Sequence, residues 1–344
     1  MPSRARRDRP PTIIEVAKLA GVSFKTVARV VNGESGVRPE KREAVHRAMK
    51  MVGYVPNLMA RQLSGQRTFL VGFAVRASPQ LRTSHAYIAA AMEGALGRCR
   101  EAGYSLIVDE IPEGRGEEVA LRLRSLRVAG VVLPPPLSRS SQAIAALAAQ
   151  DIPYVLISPE VGDTPGATVR MDDRGAAFAM TQRLLELGHR RIGFVGAPDW
   201  PASRRRREGH LQALQAAGVA RDARLEAEGD FTFQSGEAAA AQLLALQEPP
   251  TAIFAANDDM ALGVMAVAAE LGLGVPADLS VAGFDDSPSA ALVRPGLTTV
   301  RQPIAEMAAA AVSLLLDPTG FQAATDISLD FELVERGSVA RASR

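Results

Sequence analysis

The sequence predicts an α/β protein: a small three-helix helix-turn-helix head followed by a two-lobed body of doubly wound parallel sheets. From Phe69 onward, short β-rich runs alternate with alanine-rich helical stretches, the pattern of a parallel sheet flanked by helices. Before that point, short capped helical segments follow one another with no strand between them. The charge divides at the same place. Residues 1–67 hold 14 basic and 5 acidic side chains and the remainder 25 and 33, so a net charge of +1 conceals a head at +9 and a body at −8. A basic head on an acidic body reads as a polyanion-binding module attached to something that nucleic acid does not attract.

The 344 residues, 47% hydrophobic and 22% charged, suit two or three domains with real cores. One cysteine, Cys99, allows neither an internal disulfide nor a cysteine-rich metal site, which fits a reducing compartment, and the cytoplasm is expected. No apolar run approaches the roughly 20 residues of a membrane span. Residues 1–11, MPSRARRDRPP, carry charge without an apolar segment behind it, and are expected to be a disordered basic tail and not a signal peptide.

The head is expected over 12–56. Thr12-Ile13-Ile14-Glu15 is a capping box, in which a hydroxyl and a carboxylate three residues apart satisfy amides at a helix start. Ile13, Val16, Ala17 and Ala20 make one apolar stripe, and Gly21 ends the helix. Ser23 caps a second helix with Val27, Val30 and Val31 inward, leaving Phe24, Lys25, Ala28, Arg29 and Asn32 on the other face. Two short helices joined by so brief a turn form a helix-turn-helix. Lys25 and Arg29 suit guanine or phosphate, Thr26 a phosphate, and Phe24 a thymine methyl. A third helix begins near Val37-Arg38-Pro39, buries Ala44, Val45, Ala48 and Met49, and ends at Gly53.

Next comes Tyr54-Val55-Pro56-Asn57-Leu58-Met59-Ala60-Arg61-Gln62-Leu63. TIIEVAKLAGVSFKTVARVVNG and GYVPNLMARQLSGQRT, in that order, resemble the LacI/GalR family of transcription regulators. The resemblance implies DNA contacts from Thr12, Ser23, Phe24, Lys25, Thr26, Arg29 and Asn32. It also implies a hinge helix and linker over 57–67 that folds on operator DNA, with Asn57 and Ala60 at the duplex and Leu63 wedged into a minor-groove step. Physical chemistry is compatible: two turns alone do not hold a helix in water, and an apolar wedge between base steps kinks the duplex. Arg38 stands where the family commonly has a capping serine.

The body is expected over 68–338, with strands at 70–75, 104–108, 130–133, 153–157, 191–195, 251–254 and 280–284. Helical stretches lie at 88–101, 176–187, 236–246 and 260–271. A body of about 270 residues is too large for one comfortable layer, which predicts two lobes with a cleft between them. LGHRRIGFVG (187–196), AANDDMALGVM (255–265), SVAGFDDSP (280–288) and LTTVRQP (297–303) resemble the family's second-lobe signatures. By that resemblance the chain crosses between the lobes three times, returning to the first after about residue 300.

Enzyme signatures are poor: there is no GxxxxGK[ST], GxSxG or HExxH, and four scattered histidines. Asp172-Asp173, Asp258-Asp259 and Asp285-Asp286 are pairs in which at most one carboxylate faces any shared site, and ligand contact explains the latter two better than a metal does. No cofactor or metal is expected. The resemblance places effector contacts on Arg206, Phe231, Asn257 and Asp285, with Trp200 near the same edge. A guanidinium, an amide and a carboxylate suit paired hydroxyls, and an aromatic face suits a sugar ring. Phe231 and Trp200 either line this site or pack in the core, and the run Arg204–Arg207 is more often solvated than functional. The expected protein is a homodimeric operator-binding repressor of carbohydrate-utilisation genes controlled by a small effector, a sugar. The alternative is a solute-binding or sensory protein whose basic head is incidental. A tetramer is not expected, since VERGSVARASR after Leu333 has no apolar heptad.

Overall fold

A computed structural model describes residues 11–31, 36–54, 69–76, 85–112, 114–160, 166–317, 319 and 325–342. All but the last residue of the expected basic tail, Asn32, and the hinge with Asn57, Ala60 and Leu63 lie outside the described residues. The chain divides into two compact units, 1–69 and 70–344.

In the first unit, α1 (Ile13–Ala20) carries the capping box: Thr12 Oγ1 accepts from the Glu15 amide at 3.4 Å, and the Glu15 carboxylate accepts from the Thr12 amide at 2.7 Å. Gly21, at φ 62°, turns the chain where a side chain would be strained. Ser23 Oγ accepts from the Thr26 amide at 3.2 Å to start α2 (Phe24–Val31), and Pro39 opens α3 (Pro39–Val52). Arg38 supplies no side-chain cap there. Val16, Ala17, Val27, Val30, Val45 and Ala48 form a small core, as their spacing requires.

The second unit holds two six-stranded sheets. The first lobe contains β1 (Leu70–Arg76), α4 (His85–Glu101), β2 (Ser105–Ile111), α5 (Gly116–Ser125), β3 (Val131–Leu133), α6 (Ser141–Ala148), β4 (Tyr154–Ile157) and β5 (Ala167–Met171). The second contains α7 (Asp173–Glu186), β6 (Ile192–Gly196), α8 (Pro201–Ala216), β7 (Glu226–Glu228), α9 (Phe233–Leu244), β8 (Ala252–Ala255), α10 (Asp258–Glu270), β9 (Ser280–Asp285), α11 (Pro288–Leu292) and β10 (Thr298–Arg301). The chain returns to the first lobe for α12 (Ile304–Leu316) and β11 (Asp326–Leu329), then ends in the second with β12 (Glu332–Val334). Sheet orders are β11-β5-β4-β3-β1-β2 and β12-β10-β9-β8-β6-β7. Among the described residues only β12 runs antiparallel to its neighbour. There are three crossings, at 171–173, 301–304 and 329–332, and the final one carries the last strand beyond the first lobe.

Alternation fixes the layers. Val71, Phe73, Val132, Val155 and Ile157 face α4 and α12, while Ala74, Val131, Leu133 and Leu156 face α5 and α6. Helices α7 and α8 approach so closely that a Cβ on Gly209 would stand 2.0 Å from the Arg174 carbonyl oxygen. That approach brings the second turn of α8, with Arg205 and Arg206, against the first turn of α7, where the site lies.

Candidate functional site

On the head, Phe24 is 64% exposed and Lys25 is exposed beside it. The Thr12 hydroxyl is committed to its cap, and the Ser23 and Thr26 hydroxyls lie 2.9 Å from each other. Arg29 is less open than its helical position predicts. It is half-buried, and a Cβ on Gly36 would stand 3.1 Å from its guanidinium.

In the body, a polar cluster gathers where the first turns of α7 and α10 and the second turn of α8 meet the ends of β4, β8 and β9, beside α4 of the other lobe. The run Arg204–Arg207 is not a solvated face, because each member has a separate task. Arg206, 4% exposed, donates from Nε to Asp173 Oδ1 at 2.9 Å and from an Nη to the Ala256 carbonyl at 2.6 Å. Its guanidinium lies 3.6 Å over the Phe284 ring and 3.8 Å from Asp285 Oδ1. Arg205 holds the other oxygen of Asp173 at 3.0 Å, Arg204 pairs with Glu160, and Arg207 pairs with Glu226 at 2.5 Å.

Asp285 takes a hydrogen bond from Gln302 at 2.5 Å. Burial raises its carboxyl well above the usual range; Arg206 opposes the shift and the nearby Asp258 adds to it. Asp285 sits at φ 128° and Asp286 at 56°, strained conformations that cost about 1–3 kcal/mol each and gather at functional sites. Only the first of this pair opens to the cluster. Asp286 turns away to Arg301 at 2.7 Å and Arg336 at 2.5 Å. Asp258, grouped by sequence with the ligand contacts, is instead a buried tie accepting from Thr299 Oγ1 at 2.6 Å and the Ser287 amide at 2.7 Å.

Asn257, which has no obvious structural task in the sequence, has one in the fold. Its Oδ1 caps α10 through the Met260 amide at 3.0 Å, and its Nδ2 donates to the Phe231 carbonyl at 3.1 Å, leaving one N–H for anything else. Phe231, at φ 70° and half-buried, meets Trp200 edge-on with centroids 5.6 Å apart.

The first lobe contributes Tyr87 and Ser158, both missed in the sequence. The Tyr87 hydroxyl is buried and makes no hydrogen bond of normal geometry. Burial raises its pKa, with Asp173 and Asp285 adding and Ser158 and Arg206 opposing. Nothing local marks Tyr87 as polar-facing, since it sits in an alanine-rich helix. Asp173 was visible only as one of an aspartate pair with no strand predicted before it, and Gln302 within LTTVRQP. The cluster offers a fixed guanidinium, a carboxylate, a free phenol and an aromatic wall, a set that answers adjacent hydroxyls on a compact ligand. Among the described residues no group of His, Cys, Asp or Glu is placed to hold a metal ion.

A helix-turn-helix head on a two-lobed body with a polar site at the strand ends defines a bacterial DNA-binding regulatory protein. Residues 12–57 match the bacterial regulatory proteins of the lacI family, and residues 181–339 match the periplasmic binding protein-like domain. The transcriptional regulator CelR of Thermobifida fusca is 38% identical over 315 residues, covering 90% of this chain and 92% of that one. Catabolite control protein A of Priestia megaterium is 34% identical, covering 88% and 91%. The lac repressor dimer bound to operator and an anti-inducer superposes with a TM-score of 0.78 at 32% identity, covering 96% of this chain and 100% of that one. The chain belongs to the LacI family of transcriptional regulators.

Proposed function

We propose that this regulator is a repressor of carbohydrate-utilisation genes. It acts in the cytoplasm as a homodimer on a pseudo-palindromic operator and releases or grips DNA according to a sugar bound between the lobes. The observation that carries the reading is the Arg206–Asp173–Asp285 cluster, built from second-lobe elements and faced by Tyr87 of the first lobe, so that one ligand can touch both lobes. Related proteins support it: one solved relative, with a TM-score of 0.73 at 35% identity and covering 95% of this chain and 99% of that one, is CelR complexed with cellobiose.

In this reading 12–56 is the reading head, 57–67 the hinge and 68–338 the effector and dimerisation domain. Lys25, Phe24, Thr26, Ser23, Arg29 and Asn32 face the major groove, Thr12 caps the head at the duplex, and Asn57, Ala60 and Leu63 act in the minor groove. Arg206, Asp285, Asn257 and Phe231 hold the effector. The protein is a binding device and not an enzyme. No described helix is long and apolar enough to cross a membrane.

The experiment is a gel shift against fragments of the source genome, repeated with sugars selected by thermal shift, since a ligand that binds the folded form raises its apparent stability. A retarded fragment whose mobility shift weakens or strengthens with one sugar is expected. Failure to retard any fragment sinks the repressor reading and leaves a solute-binding protein.

A further inference from the structure

We propose that Arg139, with Arg204 and Arg205, forms a clasp across the mouth of the cleft, and that Arg139 is the positioning residue through which the first lobe holds the aromatic wall of the second. The first-lobe side comes from two strand ends: Arg139 closes the short turn Leu137–Arg139 after β3, and Pro159-Glu160 follow β4. The second-lobe side is the turn Pro198–Trp200 and the opening of α8.

Arg139 Nη1 donates to the Asp199 carbonyl at 2.7 Å, and its guanidinium carbon lies 5.2 Å from the centre of the Trp200 ring, within cation–π range. Arg204 pairs with the Glu160 carboxylate across the gap while donating to the Pro198 carbonyl at 3.2 Å. Arg205 Nη1 reaches the Pro159 carbonyl at 3.5 Å and keeps its other nitrogens on Asp173. The Arg139–Asp199, Arg139–Trp200, Arg204–Glu160 and Arg205–Pro159 contacts each join one lobe to the other, and all converge on the same helix start.

The consequence lies behind the rim. Trp200 is pinned between Arg139 and Phe231, and the Phe231 carbonyl receives Asn257, so a continuous row of contacts runs from the first lobe to the cap of α10. Moving the lobes apart withdraws Arg139 from the face of Trp200 and releases the wall. In this proposal Trp200 belongs to a latch that shapes the ligand site from its rim. The importance of the latch for the effector rests on the proposed function; the latch itself does not, and its test needs no ligand.

Trp200 is the sole tryptophan, so emission excited at the red edge of the absorption band, where the four tyrosines do not absorb, reports on it alone. Arg139→Gln is expected to at least double acrylamide quenching and shift emission to the red, with Arg139→Lys intermediate, because an ammonium keeps the charge but loses the planar stack. Arg204→Gln leaves the Trp200 ring untouched and breaks the Glu160 pair together with the guanidinium bond to the Pro198 carbonyl. It is expected to raise quenching too, and the double variant to increase the radius of gyration in small-angle scattering. Unchanged quenching in Arg204→Gln, with circular dichroism showing a folded body, overturns the clasp and leaves Arg139 as local packing. Unchanged quenching in Arg139→Gln overturns the pinning of Trp200 altogether. Failure of any sugar to bind the wild type, with both fluorescence results as expected, removes the proposed effector function and leaves the clasp standing.

Discussion

Replacing Arg206 by alanine tests whether the centre of the cleft holds the lobe together as well as offering groups to a ligand. The substitution strips a 2.9 Å bond from Asp173, a 2.6 Å bond from the Ala256 carbonyl, the 3.8 Å pairing with Asp285 and the cover over the Phe284 ring. Removing one partner of a buried ion pair costs about 3–5 kcal/mol, because the other charge stays desolvated. Arg205 remains on the second oxygen of Asp173, which places the expected loss near the lower end, about 3 kcal/mol. At about 2–4 °C per kcal/mol for a body of this size, the melting temperature should fall by roughly 6–12 °C. Differential scanning calorimetry and urea titration measure both. Asp285→Asn is the companion variant: it keeps the Gln302 contact, loses only the longer ion pair, and should cost no more than about 1 kcal/mol while weakening the effector response. An Arg206→Ala protein within about 0.5 kcal/mol of wild type would refute the structural role, and any loss of ligand response would then be read as direct contact alone.

Asn257→Ala should cost about 1–2 kcal/mol through the lost α10 cap, and Asn257→Asp, which keeps the capping oxygen, should recover most of it in the same urea titration. Lys25→Ala should weaken operator binding by about 1–3 kcal/mol if it reads a base, seen as a smaller gap between operator and mutated operator in fluorescence anisotropy. Arg29→Ala should in addition lower the head's hydrogen-exchange protection, since its side chain is half-buried. His210, fully buried against Thr181 at 3.0 Å, has its pKa pushed down to about 4 by burial. The unfolded chain takes up that proton near pH 6.5 and the folded one does not, so stability is intact above pH 6.5 and falls between pH 6.5 and 4. His210→Gln should flatten that part of the stability profile.

The sequence was most informative where local chemistry decides structure. Thr12-x-x-Glu15, Ser23, Pro39 and the two glycines at 21 and 53 each declare a helix end, and all appear where spacing puts them. Strands β1, β3, β4, β6, β8 and β9 are legible because they are largely buried and their runs are mostly apolar, and the part-exposed edge β2 is legible from the apolar start of its run. Helix α8 was not legible, since its buried positions include Ser203, Arg206, Gly209 and His210 and no apolar stripe exists to detect. Strands β11 and β12 are short, half-exposed edges that only pairing defines. The site followed the same division. Arg206 and Asp285 were found through motifs, but Tyr87 and Ser158 reach the cluster from the other lobe, a juxtaposition that depends on how the sheets are stacked. Arg29, set on the outer face by helical geometry, is half-buried there beside Gly36, a proximity that the helix pattern does not carry.

The three crossings between the lobes set an order on the making of this protein. A nascent chain that has reached residue 303 has every second-lobe strand except β12, yet the first lobe still lacks α12, which lies beside α4 on its sheet, and its edge strand β11. The second lobe waits longer still, because Ser338 completes it from within, accepting from the Thr298 amide at 2.8 Å and donating to the Val281 carbonyl at 2.6 Å. The head needs nothing beyond its own three helices. During synthesis the part that grips DNA can therefore be folded while neither lobe of the part that governs it is closed, and the ribosome must release nearly the whole body before regulation can begin.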